Sequence, residues 1–79
     1  MDKIEKALKK FFLKEQKQIK AMLLRLRSGE IKGLDVKKLR GREDIFRVRK
    51  GDLRIIYRLE GKEVYILKIE KRRERTYRF

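Results

Sequence analysis

The amino-acid sequence predicts an α+β protein in which an N-terminal helical hairpin packs on a small antiparallel sheet. Three observations predict it. Apolar residues in the first part recur at spacings of 3 and 4, those from Phe46 onward alternate with period 2, and two short glycine-bearing turns divide the alternating run. Helices grouped before strands, rather than interleaved with them, indicate segregated layers and not a parallel α/β sheet.

Taken in order, Asp2 followed by Glu5 is a start signal of the capping-box kind. Ile4, Leu8, Phe11 and Phe12 form one apolar stripe and Ile19, Met22, Leu23 and Leu26 a second, with the polar stretch Lys14 to Lys17 between them. The pattern predicts helices over about 3–12 and 14–28 folded as a hairpin, with one bent helix as the alternative. Ser28-Gly29 supplies the stop, since glycine takes the left-handed cap without penalty. Residues 30–43, punctuated by Gly33 and Gly41, read as a loop.

A three-strand meander then follows. Phe46 and Val48 take one face, Arg47 and Arg49 the other. After the turn Lys50-Gly51-Asp52, Leu53, Ile55, Tyr57 and Leu59 oppose Arg54, Ile56 and Arg58. Glu60-Gly61-Lys62 makes the second turn, and Val64 to Ile69 the third strand, with Tyr65, Leu67 and Ile69 on one face. Residues 71–79 read as a basic tail. The helices are expected to cover the apolar face, so that Phe11, Phe12, Tyr57 and Tyr65 pack in the core and Arg47, Arg49, Arg54 and Arg58 point away from it.

Composition bounds the function. A chain of 79 residues is expected to form a single domain, 1–79. Cysteine and histidine are both absent, which removes disulfides, cysteine nucleophiles, zinc fingers and histidine acid–base chemistry; no metal or cofactor is expected. The 26 Lys and Arg against 12 Asp and Glu leave a net charge of +14, a field that attracts polyanions, nucleic acid first among them. A charge-rich thermophile surface is the bland alternative, but such surfaces mix both signs more evenly. The first ten residues carry charges and no apolar run, and no stretch approaches the roughly 18 apolar residues of a membrane span, so a cytoplasmic protein without a membrane partner is expected.

The element order carries several strings: Lys38-Leu39-Arg40-Gly41, Phe46-Arg47-Val48-Arg49, Gly51-Asp52-Leu53-Arg54-Ile55-Ile56-Tyr57, Val64-Tyr65-Ile66-Leu67-Lys68-Ile69, and Lys71-Arg72-Arg73-Glu74 with Tyr77. Together they resemble the RelE/ParE superfamily of toxins over about residues 5–78. Members of that superfamily usually open with an apolar strand before the first helix; here the first helix begins within a few residues of Met1, so the sheet is expected to lack that strand and to expose an edge. The resemblance implies two branches. RelE-like members are mRNA interferases that cut message in the ribosomal A site, whereas ParE-like members act on DNA gyrase. Many are neutralised by an acidic antitoxin, RelB-like in the first branch, that wraps around the toxin.

RNA cleavage without a metal uses the 2′-hydroxyl as nucleophile and needs the extra charge on phosphorus to be stabilised, a task for which guanidinium forks are suited. Carried over by position, the resemblance places Arg47 and Arg49 at two basic positions on the first strand of the meander. Both are lysine in the best-known members. It places Arg54 at a phosphate-holding arginine, Arg72 or Arg73 at a C-terminal arginine, and Tyr77 near a tyrosine that stacks on the base. The expected catalytic set is therefore Arg49, Arg54, Arg72, Arg73 and Tyr77, with Arg47, Lys50 and Arg58 binding RNA. The alternative for Arg47, Arg49 and Arg58 is an ordinary solvated strand face. The function expected is a ribosome-dependent endoribonuclease toxin, a hydrolase-type inhibitor of translation whose partners are ribosome-bound mRNA and an antitoxin. A ParE-like gyrase inhibitor and a non-catalytic RNA-binding module are the alternatives.

Overall fold

In the computed structural model, which describes residues 3–41, 43–72 and 75–78, the chain runs α1 (Lys3–Leu8), α2 (Leu13–Ser28), β1 (Asp35–Lys38), β2 (Ile45–Lys50), β3 (Leu53–Glu60), β4 (Glu63–Lys71) and β5 (Arg75–Arg78). The α+β class is as the sequence predicts. Asp2, half of the predicted start signal, lies outside the described residues. The first helix is shorter than expected: Phe11 N–H reaches back only to the Leu8 carbonyl, a tight turn that ends α1. Phe12 then becomes the N-cap of α2, extended at φ −64° and ψ 154°, and its N–H donates to the Glu15 carboxylate at 2.9 Å. At the other end of α2, Gly29 sits at φ 79° and closes the helix by donating to the Arg25 and Leu26 carbonyls.

The sheet has five strands, not three, in the order β1-β2-β3-β4-β5, antiparallel throughout. Both added strands are short edge strands cut from segments read as a loop and a tail. Asp35-Val36-Lys37-Lys38 and Arg75-Thr76-Tyr77-Arg78 are too charged to show alternation, and charge is what keeps sheet edges from pairing with other chains. The two predicted turns are two-residue hairpins, with Lys50 opposite Leu53 and Glu60 opposite Glu63; Gly51 and Gly61 supply the positive φ, 58° and 63°, that matches the twist of the strands.

One irregularity decides which residues face which way. Ile56 pairs with Lys68 but Tyr57 pairs with Ile66, so β4 holds one residue more than β3 there, at Leu67. The bulge reverses the alternation of β4. Ile69, Ile66 and Val64 face the helices, and Tyr65, expected in the core beside Ile69, lies on the opposite face at 44% exposure. Phe12, also expected in the core, is exposed as well; its ring lies 5.0 Å beneath the Lys71 ammonium.

The core sits between α2 and the sheet. Ile19, Met22, Leu23 and Leu26 of α2 pack with Leu8, Phe11, Val48, Leu53, Ile55, Tyr57 and Ile69. Burial pushes the Tyr57 phenol above its ordinary value of 10.0. Lys71 and Glu15, both largely covered, form a 2.6 Å ion pair that ties the start of α2 to the end of β4. Among the described residues no helix is long and apolar enough to cross a membrane.

Candidate nucleic-acid interface

With α2 on one face, the alternation of β1 to β4 sends a set of cations to the other. The register arranges them in rows across the strands. Asp35 pairs with Arg49, Arg49 with Arg54, and Arg54 with Glu70. Two arginines directly opposite each other repel, and like charges at that spacing destabilise a sheet. Here each has a carboxylate on its far side, at 3.3 Å from Arg49 to Asp35 and 3.6 Å from Arg54 to Glu70. The row therefore reads acid, base, base, acid, with its positive potential at the centre.

The second row holds Lys37, Arg47, Ile56 and Lys68. Arg47 is mostly covered and shares Asp35 at 3.3 Å, and Lys68 shares Glu70 at 2.6 Å. In the third row Arg58 lies between Ile45 and Tyr65. Its guanidinium holds Glu60 at 3.1 Å and sits over the Tyr65 ring, 4.9 Å from the centroid. The Nε atoms of Arg47 and Arg58 are covered and lack a hydrogen-bond partner, two donors in search of acceptors.

At the β2–β3 turn the first row opens into a cleft of about 610 Å³ lined by Arg49, Gly51, Asp52, Leu53, Arg54, Glu70 and Arg72. Arg72 reaches it from directly after β4, where its N–H donates to the Asp52 carbonyl at 2.8 Å. Three of the five expected catalytic residues thus line one cleft. Arg73 lies outside the described residues. Tyr77 pairs in register with Ile69, a helix-side position, whereas the register partners of Thr76 and Arg78 are Glu70 and Lys68 of the arginine face. Among the residues expected to bind RNA, Arg47 and Arg58 share that face. Lys50 does not: it follows the alternation of Val48, on the helix side at the end of the sheet.

Sequence reasoning missed Glu70, Asp35 and Tyr65. The first two required the register, since an acid at each end of an arginine row is visible only once the strands are aligned. Tyr65 required the bulge. Chemically, the cleft concentrates guanidinium donors that remain charged at any working pH, so it can hold and neutralise a phosphate but exchanges protons poorly through its arginines. Glu70 is the cleft's strand-borne carboxylate. No group of three or more metal-ligating side chains gathers among the described residues.

The family model described as the ParE toxin of type II toxin–antitoxin systems, parDE, matches residues 2–76. No curated protein and no solved structure matched the chain. A match over nearly the whole length, on a helical pair followed by an antiparallel meander, establishes that the chain belongs to the ParE toxin family of type II toxin–antitoxin systems, in which a toxin is paired with a cognate antitoxin.

Proposed function

We propose that this toxin acts on RNA, as a cytoplasmic ribosome-dependent endoribonuclease held in check by an acidic antitoxin. The observation that carries the reading is the convergence of Arg49, Arg54 and Arg72 on one cleft at the end of a cationic sheet face. In the reaction the 2′-oxygen bonds to the adjacent phosphorus and the bond from phosphorus to the 5′-oxygen breaks, leaving a 2′,3′-cyclic phosphate and a 5′-hydroxyl. The three guanidinium groups stabilise the charge that builds on the phosphoryl oxygens. The 2′-proton passes to the Glu70 carboxylate, and water protonates the departing oxygen. From the family resemblance, Arg73 completes the set; Tyr77, whose register partner Ile69 is a helix-side position, is left out of it.

The test is cleavage of ribosome-bound message by the wild type, Arg54→Ala and Lys17→Ala, with 5′ ends mapped and RNA binding measured alongside. Removing one preorganised electrostatic donor costs about 10²–10³ in rate, whereas Lys17, exposed on α2, lies in the helical layer behind the sheet. A saturated rate unchanged by Arg54→Ala refutes the site assignment.

A second reading is favoured by the family's own description as ParE and by the carboxylate partners that Arg47, Arg49, Arg54 and Arg58 already have, which suit a docking face without chemistry. On that reading the chain blocks DNA gyrase. Inhibited supercoiling by purified gyrase, with message left intact, would replace the first reading by the second.

A further inference from the structure

We propose that Tyr65, covered on one side by Arg58, is a stacking platform for an unpaired nucleobase of the bound RNA; this rests on the RNA reading above. The bulge at Leu67 turns an aromatic ring out of the core and leaves it 44% exposed beside Arg58. A tyrosine left 44% exposed on a strand forgoes much of what burial would contribute, but on a basic sheet face its open side supplies a flat surface on which a base of any identity stacks. Arg58 lies 4.9 Å from the ring centroid, which holds the ring's orientation through a cation–π contact and extends the flat surface by a guanidinium plane.

Two further features fit a strand of RNA crossing this face. The partnerless Nε donors of Arg47 and Arg58 lie one row apart on it, where phosphate or base oxygens would satisfy them. Arg54 and Arg58 are four residues apart on β3, about 13 Å along a strand. The platform therefore serves a nucleotide further along the chain than the one whose phosphate lies in the cleft. A base held there fixes the strand's path into the cleft and leaves the base identity unread, because stacking tolerates all four.

The experiment compares the binding of short single-stranded oligouridine, intact or with one interior abasic residue, to the wild type, Tyr65→Phe and Tyr65→Thr. Threonine removes the ring and keeps strand propensity, and a thermal melt confirms that each variant is folded. Tyr65→Thr should weaken binding of the intact strand about 5- to 100-fold, and Tyr65→Phe by no more than about 2-fold. The abasic residue should weaken binding to the wild type but cost Tyr65→Thr little, the coupling expected when ring and base touch. Equal affinity of Tyr65→Thr and wild type overturns the platform. So does an equal loss for intact and abasic strands, and so does a Tyr65→Thr defect confined to a protein partner. If the wild type itself fails to bind the strand, or binds it independently of salt, the RNA reading falls and the platform with it.

Discussion

Removing the charge of Glu70 should show in the salt dependence of RNA binding. Each phosphate neutralised by a protein cation releases a counterion, so log affinity falls linearly with log salt, by about 0.7 per phosphate for a single strand. On the arginine face Lys37, Arg47, Arg49, Arg54, Arg58 and Lys68, with Arg72 at the cleft, provide seven cations; Asp35, Glu60, Glu63 and Glu70, with Asp52 at the cleft, offset five, leaving two among the described residues. The slope expected for the wild type is therefore about −1.4. Glu70→Gln removes the carboxylate that holds Arg54 at 3.6 Å and Lys68 at 2.6 Å. Partly solvated pairs of this kind contribute about 0–1 kcal/mol, so the fold should persist. Affinity at low salt should rise and the slope should steepen by about 0.7, while cleavage slows if Glu70 takes the 2′-proton. Fluorescence anisotropy of a labelled oligouridine over a salt series measures the slope. A wild-type slope near zero, or a Glu70→Gln slope no steeper than wild type, refutes the assignment of this face to a phosphate backbone.

The core makes two further predictions. Ile69→Ala, at a position with no exposure between α2 and the sheet, should cost about 2–5 kcal/mol and lower the melting temperature by at least about 8 °C, whereas Leu24→Ala, 68% exposed on α2, should stay within about 0.5 kcal/mol of wild type in the same thermal scan. Burial raises the Tyr57 phenol above 10.0, so the folded state holds this proton longer than the unfolded chain does. The stabilisation it contributes is complete below 10.0 and is lost as pH rises through the higher folded value; in urea titrations from neutral pH to above 10.0, Tyr57→Phe should therefore gain on the wild type as pH increases. A constant difference between the two across that range would show that Tyr57 does not carry the alkaline loss.

Much of this arrangement is local and was legible residue by residue. The spacing of Ile19, Met22, Leu23 and Leu26 specifies the buried stripe of α2, Gly29 specifies its end, and the glycines of the two hairpins specify where β2, β3 and β4 turn, because each depends on neighbours a few residues away. The same alternation that buries Val48, Leu53 and Ile55 sends Arg47, Arg49 and Arg54 outward, so the basic face was implied before any strand was paired. What only the tertiary structure decided depends on partners distant in the chain. Asp35-Val36-Lys37-Lys38 becomes a strand because β2 offers it an edge, and its own composition argues for a loop. The extra residue at Leu67 is defined only against β3, and it alone moves Tyr65 from the core to the arginine face. The carboxylates that flank Arg49 and Arg54 come from β1 and β4, brought to the β2–β3 hairpin by hydrogen-bond register, which is a property of paired strands and leaves no trace in the spacing of any single one.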